Sequence, residues 1–495
     1  MELLRYDVLK KAGYAGYLLE DAPVRVLQFG EGNFLRAFVD AFFDLMNEKG
    51  GFHGKVMLVQ PIAQGRTAEI NAQEGLYTLY LRGSENGQRV DERRVISSVA
   101  GCIDPYADYG AFLTCAKNPD LRFLVSNTTE AGIAFDPACR FADQPAASFP
   151  GKLTQFLYER WRTGGRGFWI LSCELIDNNG RELLSCVRKY IELWGLEAAF
   201  ADWVEQENVF CSTLVDRIVT GYPRNDAARM NEENGYLDQN LVTAECFGLW
   251  VIEAPDSLCD ELPIRAAKLP IVVTADHTPY KQRKVRILNG AHTGMVLGAY
   301  LAGQDIVRDC MHDAVIRGFT DHLIFDEIIP SITTLPHDEL CAFAASVADR
   351  FENPYIDHRL LDIALNSVSK WRARVLPSLT GYLEEKDGIP SCIAFSFAAL
   401  LEFYSRGTEK DGKLIGTRGR DAYEIRDDQA VLAFFAAHSG DEPGALVAAA
   451  CRRADFWGSD LSELPGFAEA VTAYLTSIRA SGAGRTMQDI LAQTK

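Results

Sequence analysis

Short apolar runs alternate with amphipathic stretches through the first half of the chain. Residues 24–29 predict a buried strand, the glycines after them predict a tight turn, and residues 33–48 have the spacing of an amphipathic helix. Residues 55–61 predict a second strand, which completes a strand–turn–helix–strand unit. Further strands are predicted at 77–81, 122–126 and 167–172, with helices at 106–117, 152–162 and 181–193. This alternation is typical of a mostly parallel, doubly wound sheet.

From about residue 275 onward the apolar positions recur at helical spacing, and strand candidates become few. Residues 406–421 are polar and predict a surface loop. We therefore predict an α/β protein in which a Rossmann-type, doubly wound domain at residues 1–272 is followed by a mostly α-helical domain at residues 273–495. Because ligand sites favour domain junctions, we expect the site in the cleft between the two.

Composition and net charge limit the partners that this chain can have. Hydrophobic residues make up 47% and charged residues 24% of the 495 residues, as in an ordinary globular protein. The net charge of −18 argues against a nucleic acid or an anionic membrane as partner, because both need a basic face. We find no apolar run long enough for a membrane helix and no signal peptide.

The twelve cysteines contain no C-x-x-C pair and the eight histidines no H-x-x-x-H pair, so we expect buried reduced thiols, no metal and a cytoplasmic location.

The sequence Gly-Glu-Gly at residues 30–32 stands between the first predicted strand and the first predicted helix. Glycines there let backbone N–H groups approach a dinucleotide pyrophosphate, and the helix N-terminus favours its charge. The third fingerprint position holds Leu35 and not glycine, so an ordinary strand–helix turn is the alternative interpretation. Gln60 ends the second strand, where NAD-binding proteins often carry an acidic residue, and Arg66 nearby could meet a 2′-phosphate. These residues leave both NAD and NADP open.

Three polar residues interrupt an apolar helical stretch that begins at residue 284. At about 100° per residue, Lys284, Asn289 and His292 fall within one arc of the helix. A helix that is otherwise apolar all round is buried, so these side chains are either paired within the protein or face a ligand. Burial favours a neutral lysine, which can exchange a proton with a substrate hydroxyl, and an amide can stabilise an alkoxide. Thr278 and Pro279 fit the N-cap and first position of this helix.

On these residues the chain resembles the mannitol dehydrogenase family of polyol-specific long-chain dehydrogenases. The family signature K-x-x-x-x-N-x-x-H is matched by Lys284, Asn289 and His292, and its turn G-x-G-x-F-x-R-A is matched at residues 30–37, where Leu35 is expected. Further stretches match in order along nearly the whole chain, at residues 74–83, 126–133, 173–180, 212–223, 326–330, 350–356 and 364–370. Residues 126–133 and 364–370 are similar to a branch of the family that acts on hexuronates.

The resemblance implies a metal-independent hydride transfer between NAD and a secondary alcohol or ketone. Lys284 would be the general acid in reduction and the general base in oxidation, Asn289 would stabilise the oxyanion, and His292 would position the substrate. The residues expected at the cofactor are Gln28, Phe29, Gly30, Glu31, Gly32, Asn33, Phe34, Leu35, Arg36, Thr129 and Glu130. The residues expected at the substrate are Glu174, Asn179, Asp216, Lys281 and Lys370.

Three positions depart from the mannitol enzymes of the family. Lys281 stands where they carry a glutamate three residues before the lysine, and Asp362 where they carry an arginine. Residues 174–175 (Glu-Leu) replace Asp-Asn of their oxyanion site, so one amide is missing or is supplied elsewhere, for example by Asn179. We hypothesise that Lys281 faces the same cavity as Lys284 and binds a substrate carboxylate, which favours a hexuronate over a neutral hexitol.

The resemblance thus implies NADH-dependent reduction of D-tagaturonate to D-altronate, with a hexuronate or aldonate as the small-molecule partner. Fructuronate–mannonate or hexitol oxidoreduction is the nearest alternative within the family. A methyltransferase and a non-catalytic sugar-acid sensor are the alternatives from other classes. Gln60 argues against the methyltransferase, which usually has an acidic residue there, and the intact set of Lys284, Asn289 and His292 argues against the sensor. These patterns do not fix the oligomeric state.

Overall fold

The computed structural model describes residues 1–85, 88–129, 131–410 and 413–493. The chain divides into two compact units, the first comprising Met1–Arg82 and Val90–His277 and the second comprising Gly83–Arg89 and Thr278–Lys495. The boundary predicted between residues 272 and 273 falls inside the last strand of the first unit, which stays paired with its sheet as far as Thr274.

Two sheets form in the described part of the chain before Thr278. Their strands are β1 (Val24–Phe29), β2 (Lys55–Val59), β3 (Tyr77–Glu85), β4 (Gln88–Ile96), β5 (Val99–Ile103), β6 (Phe123–Ser126), β7 (Trp169–Ser172), β8 (Val209–Asp216), β9 (Val219–Gly221), β10 (Val242–Ala244), β11 (Leu249–Glu253) and β12 (Ile271–Thr274). The larger sheet has the order β12-β11-β8-β7-β6-β1-β2-β5, and every pair is parallel except β8 with β11. The smaller sheet has the order β4-β3-β10-β9. The prediction of a mostly parallel sheet is confirmed.

Helices cover both faces of the larger sheet. The helices described before Thr278 are α1 (Tyr6–Lys11), α2 (Asn33–Ala37), α3 (Val39–Gly50), α4 (Thr67–Ala72), α5 (Tyr109–Thr114), α6 (Phe149–Arg162), α7 (Asn179–Leu193), α8 (Ala198–Glu207), α9 (Ala227–Asn234), α10 (Leu258–Glu261) and α11 (Ile264–Ala267), with a 3₁₀ turn at Cys115–Lys117. Successive side chains of a strand point to opposite faces, so β1 contributes to two cores. Val26 lies in one core with Phe42 of α3, whereas Leu27 and Phe29 lie in the other with Phe156 of α6.

A break at Phe38 divides the helix that the sequence predicts as one element over residues 33–48. Phe38 has φ −124° and ψ −76°, so α2 ends before it and α3 begins after it. Its ring is fully buried and packs 4.9 Å from the ring of Phe42 and 6.0 Å from that of Trp250, measured between centroids. The helical spacing of the sequence does not reveal this break, because tertiary packing overrides local propensity there.

The second unit is mostly helical, as predicted. Its helices are α12 (Thr278–Arg283), α13 (Gly290–Leu301), α14 (Val307–His312), α15 (Ala314–His322), α16 (His337–Phe351), α17 (Leu360–Ile363), α18 (Ser367–Arg374), α19 (Leu376–Glu385), α20 (Ser391–Ser405), α21 (Gln429–Ala437), α22 (Pro443–Cys451), α23 (Ala454–Trp457), α24 (Phe467–Ser481) and α25 (Ala483–Gln493). Two π-helical segments, at Lys284–Asn289 and Leu323–Ile328, and 3₁₀ turns at Ile329–Ser331 and Leu461–Glu463 complete them. α20, buried along nearly its whole length, packs against α13 and α24.

The prediction of a polar loop at residues 406–421 is wrong. The structure has three antiparallel strands there, β13 (Thr408–Lys410), β14 (Lys413–Arg418) and β15 (Asp421–Ile425). Leu414, Tyr423 and Ile425 bury their side chains, and the spacing of two between Tyr423 and Ile425, just after the polar stretch, is a strand signal.

The helix that carries Lys284 is not a regular α-helix at its start. Residues 284–289 form a π-helix, in which backbone N–H groups bond to the carbonyl five residues earlier. The wider turn advances by a smaller angle per residue than the 100° of an α-helix, so it brings Asn289 closer to the Lys284 side of the axis. The positions that the sequence predicts on an α-helical wheel therefore need this correction.

No helix in the described part of the chain combines the length and the apolar character that crossing a bilayer requires.

Glu327, in the second π-helical segment, caps the N-terminus of α20. Its carboxylate accepts hydrogen bonds from the backbone N–H groups of Cys392 and Ile393, at 2.7 and 2.8 Å, and from the Ser391 hydroxyl at 3.0 Å. A buried helix start needs such acceptors, because its first N–H groups have no partner within the helix.

We expect Glu327→Ala to destabilise the second unit by about 1–3 kcal/mol, because it leaves two buried N–H groups without acceptors. Thermal unfolding followed by circular dichroism measures the effect. The control is Asp326→Ala, which removes a neighbouring exposed carboxylate that pairs with His322. Equal losses in the two variants would contradict the capping role.

Candidate active site

The carboxyl ends of four parallel strands meet at one edge of the larger sheet. Phe29 of β1 pairs with Val59 of β2 and with Ser126 of β6, and Ser126 pairs with Ser172 of β7. The segments that follow these strands therefore start side by side, and all but one of the residues predicted at the cofactor lie at the ends of β1 and β6. In doubly wound folds this is the edge where ligands bind.

The glycine turn after β1 offers an open backbone surface. Gly30 has φ 121°, a conformation that favours glycine, and a Cβ there would lie 2.9 Å from the carbonyl oxygen of Asn127. Gly32 is exposed, and a Cβ built on it would meet no atom within 4 Å. The two glycines thus have different roles, since Gly30 is needed for the turn itself and Gly32 leaves room for a group that approaches the backbone. This surface fits a pyrophosphate.

Three of the residues predicted at the cofactor lie beneath the turn and have no exposed side chain. Phe29 and Leu35 are core residues. Gln28 is fully buried, and its Nε2 donates to the carbonyl oxygen of Gly30 at 3.1 Å and to Asp40 at 3.3 Å. These side chains support the turn from within the core, and their place at the cofactor stays a prediction.

Arg36 is also buried, and its guanidinium fastens the turn from below. It donates to the carbonyl oxygen of Glu31 at 3.1 Å and to the side chain of Asn33 at 2.7 Å, and it also bonds to the carbonyl of Asn240. The guanidinium lies over the ring of Tyr77, 5.1 Å from its centroid. Asn33 remains exposed and Phe34 half-buried at the start of α2.

The side chains around the end of β2 are relevant to the choice between NAD and NADP. Gln60 is buried, its Nε2 donates to the carbonyl oxygen of Ile62 at 2.9 Å, and its Oε1 accepts from Thr67. Arg66 is held by the carbonyl oxygen of Gln239 at 2.8 Å. The Glu31 carboxylate lies against the backbone N–H of Arg66, and burial raises its pKa. The acidic group at this end of the sheet thus comes from the glycine turn and not from β2.

Thr129 follows β6 and is exposed, as a residue of a cofactor cleft would be. Its φ of 73° is unusual for a β-branched residue, and such backbone strain is concentrated at functional sites. Glu130, also predicted at the cofactor, lies outside the described residues.

Glu174 and Asn179, predicted at the substrate, are buried and form hydrogen bonds with neighbouring segments. Glu174 accepts from Ser126 and from the N–H and hydroxyl of Thr128, each at 3.1 Å, and burial raises its pKa. The Asn179 amide donates to the carbonyl oxygens of Glu174 and Thr213 and accepts from two backbone N–H groups. Their place at the substrate stays a prediction, and both hydrogens of the Asn179 amide already have backbone acceptors. Asp216 is buried at the end of β8.

In the second unit, Lys284 and Asn289 are the first and last residues of the π-helical segment. Both are half-buried, as is Lys281 one turn earlier on α12. Because π-helical bonding joins residues five apart, the spacing K-x-x-x-x-N matches one turn of this segment. Single π-helical turns of this kind occur frequently at functional sites.

His292 follows on α13 with its ring stacked on Phe351, at 4.1 Å between centroids and 10° between planes. The ring of His358 meets it edge-on at 5.3 Å. Burial, together with the charges of His358 and Arg350, holds the pKa of His292 well below its ordinary value, so the ring is neutral at pH 7. Its Nε2 is enclosed and has no hydrogen-bond partner among the described residues. A buried polar atom left without a partner is costly, and a ligand would satisfy it.

Two residues near His292, Arg374 and His358, were missed in the sequence, whereas Lys370 was predicted. Lys370, predicted at the substrate, donates to the carbonyl oxygen of Ile363 at 2.9 Å. Arg374 lies four residues further along α18, and the positive charges of Lys370 and Arg374 both lower the pKa of His292. The spacing of four between Lys370 and Arg374 was an available signal for a shared helix face. No spacing in the sequence connects His358 with His292.

Two groups of metal-ligand types occur among the described residues. One contains His322, Glu327 and Cys392, and the other contains Glu253, Asp276 and His277. Glu327 is already occupied as the cap of α20. The expectation that the reaction needs no metal remains a prediction.

Comparisons with known proteins cover nearly the whole chain. A family model described as the mannitol dehydrogenase Rossmann domain matches residues 24–266, and one described as the mannitol dehydrogenase C-terminal domain matches residues 276–479. The chain is 45% identical over 471 residues to an altronate oxidoreductase of Klebsiella pneumoniae subsp. pneumoniae, which covers 93% of this chain and 95% of that protein. It is 44% identical, with the same coverage, to an altronate oxidoreductase of Escherichia coli O139:H28.

Two solved structures share the fold. D-sorbitol dehydrogenase in its substrate-free form has a TM-score of 0.82 at 23% identity and covers 98% of this chain and all of its own. Pseudomonas fluorescens mannitol 2-dehydrogenase, in a ternary complex with NAD and D-mannitol, has a TM-score of 0.68 at 22% identity, with full coverage of both chains. At these identities the likeness shows the fold alone.

Replacing the two glycines of the turn separates folding from binding. We expect Gly30→Ala to lower the thermal midpoint, because its Cβ would lie 2.9 Å from a backbone oxygen at a strained φ. We expect Gly32→Ala to leave the midpoint nearly unchanged and to weaken NADH binding about tenfold or more, since a methyl group enters the open surface. Thermal unfolding and titration of NADH fluorescence measure the two effects. NADH affinity unchanged in Gly32→Ala would contradict this assignment of the turn.

Proposed function

We propose a function on the premise that the chain belongs to the mannitol dehydrogenase family, as the two family models and the 45% identical relative establish. The proposed reaction is the reversible, NAD-dependent interconversion of D-tagaturonate and D-altronate. The observation that carries it is a π-helical turn with Lys284 and Asn289 at its ends, followed by His292 with an unpartnered ring nitrogen. The altronate oxidoreductases among the relatives indicate which ketone is reduced.

The residues at the carboxyl edge of the larger sheet fit a dinucleotide. Gly32 leaves its backbone open, and Gln28 and Arg36 hold the turn from beneath. When bound, the nicotinamide supplies the hydride in reduction and accepts it in oxidation. Buried thiols such as Cys173 and Cys392 fit the reducing cytoplasm, which we propose as the location.

The chain's own part in the reaction is to move one proton and to stabilise one charge. In reduction, Lys284 would donate its proton to the carbonyl oxygen that becomes the hydroxyl, and in oxidation it would take that proton back. The Asn289 amide would donate a hydrogen bond to the same oxygen as negative charge develops on it. His292, neutral at pH 7, would bind a substrate hydroxyl through Nε2 and so orient the carbon that reacts.

We expect Lys284→Ala to lower kcat for D-tagaturonate reduction by about 10²–10⁴-fold, the usual contribution of a general acid. The loss of NADH absorbance measures the rate with D-tagaturonate, D-fructuronate and D-fructose, and Lys386→Ala, at an exposed position, is the control. Preferred turnover of fructuronate or fructose would contradict the proposed substrate. Binding of the sugar acids without any turnover would favour a sensor. Full activity of Lys284→Ala would exclude the proton-transfer role.

We also expect the chain to bind NADH more tightly than NADPH, because the Glu31 carboxylate can accept the ribose hydroxyls and repels a 2′-phosphate. Glu31→Gln should lower the ratio of the NADPH and NADH dissociation constants by about tenfold or more, and tenfold corresponds to roughly 1.4 kcal/mol. Equilibrium fluorescence titration with the two nucleotides measures the ratio. A preference for NADPH that Arg66→Gln abolishes would assign the discrimination to Arg66 and contradict the role of Glu31.

A further inference from the structure

Two cations on α18 share one face of the helix without a carboxylate between them. Lys370 and Arg374 are four residues apart, and like charges at this spacing repel one another. The Lys370 ammonium donates to the carbonyl oxygen of Ile363. The Arg374 guanidinium makes no ion pair or hydrogen bond with any described residue. Both side chains are half-buried, and this burial lowers the pKa of each.

The groups facing this pair are imidazoles and further cations. His292 and His358 are neutral at pH 7 because burial lowers the pKa of each, and Arg350 adds positive charge near His292. The negative charge that acts on Lys370 comes from Asp427, which accepts the Tyr404 hydroxyl at 2.5 Å and the N–H of Val368 at 3.3 Å. Asp362 acts on His358 from an exposed position.

Uncompensated positive charge is unusual in a chain with a net charge of −18. The protein has 68 acidic residues, yet among the described residues none pairs with Arg374. A half-buried guanidinium is expected to have an anionic partner, because its desolvation is otherwise uncompensated. The charges of Arg374 and Lys370 act on His292, whose Nε2 has no partner among the described residues. Two independent features therefore point to a ligand that is both anionic and rich in hydroxyl groups.

We propose that Arg374, assisted by Lys370, binds the carboxylate of the sugar acid and so selects acids over neutral ketoses. The inference rests on the proposed function and gives the substrate carboxylate a partner other than Lys281, which the sequence suggested. A planar guanidinium can take both carboxylate oxygens at once, whereas an ammonium acts as a point charge. The ligand class is a six-carbon keto acid or its hydroxy acid, with the hydroxyl groups near the carboxylate available to His292.

The test compares D-tagaturonate with D-tagatose, which has a hydroxymethyl group in place of the carboxylate. For Arg374→Gln we expect kcat/KM for D-tagaturonate to fall by about 100-fold or more, while the value for D-tagatose changes by less than about threefold. Arg374→Lys should recover part of the lost kcat/KM, because lysine restores the positive charge but cannot bind both carboxylate oxygens at once. Arg372→Gln, two residues earlier on α18 and exposed, is the matched control.

A binding measurement on the same variants separates this inference from the proposed function. Calorimetric titration of D-altronate into the full chain with NAD should give binding in the wild type and in Arg372→Gln, and much weaker binding in Arg374→Gln. If D-altronate binding weakens in this way but the wild type does not turn over D-tagaturonate, the carboxylate site would be supported and the proposed reaction overturned. Turnover of D-tagaturonate with unchanged discrimination in Arg374→Gln would overturn the inference alone. A lower thermal midpoint in Arg374→Gln than in Arg372→Gln, with equal losses for acid and ketose, would also overturn it, because it would indicate a structural role.

Discussion

Hydrogen bonding between residues five apart, in the π-helical segment Lys284–Asn289, is the constraint on which the proposed chemistry depends. In an α-helix, residues five apart point about 140° away from each other, so one substrate oxygen could not easily meet both side chains. The wider turn reduces this angle. Gly290, directly after the segment, allows close packing against α18, since a Cβ there would lie 3.0 Å from the carbonyl oxygen of Arg374. This contact brings the end of the π-helical segment close to the backbone of α18.

The glycine turn of the first unit depends on a different kind of support. Gln28 and Arg36 use their donors on the carbonyl oxygens of Gly30 and Glu31, and each is buried. Glu174 holds the segment after β6 as an acceptor, since its carboxylate accepts from the Ser126 hydroxyl and the Thr128 N–H. Buried polar groups that are satisfied by backbone atoms make a rigid surface, and a rigid surface loses little entropy when a ligand binds. Gly32, whose φ of −68° suits any residue, is left open above the turn.

The sequence predicted best where local pattern and tertiary structure agree. The strand at residues 24–29, the turn after it and the alternation of strands and helices are all encoded by spacing and by glycine, and the structure has them. The break at Phe38 could not be predicted, because it arises from rings that the sheet brings together. The strands at residues 408–425 were missed because polar residues hid the spacing of Tyr423 and Ile425.

Assigning roles to buried polar residues proved harder than finding them. Family motifs pointed to Glu174 and Asn179, yet only hydrogen-bond geometry reveals that their donors and acceptors are already used. The converse holds for Arg374, which no motif singled out and which became notable through the absence of a described partner. Helical spacing placed Lys284, Asn289 and His292 correctly on one helical stretch, but it could not distinguish π-helical from α-helical bonding, because both use the same residues.

A structure of the chain with NAD and D-altronate bound would test the account most directly. The proposed mechanism predicts that the hydroxyl to be oxidised lies about 3 Å from Lys284 Nζ and from the Asn289 amide. The proposed carboxylate site predicts that the substrate carboxylate binds the Arg374 guanidinium. A carboxylate bound at Lys281, or a reacting hydroxyl out of reach of Lys284, would contradict it.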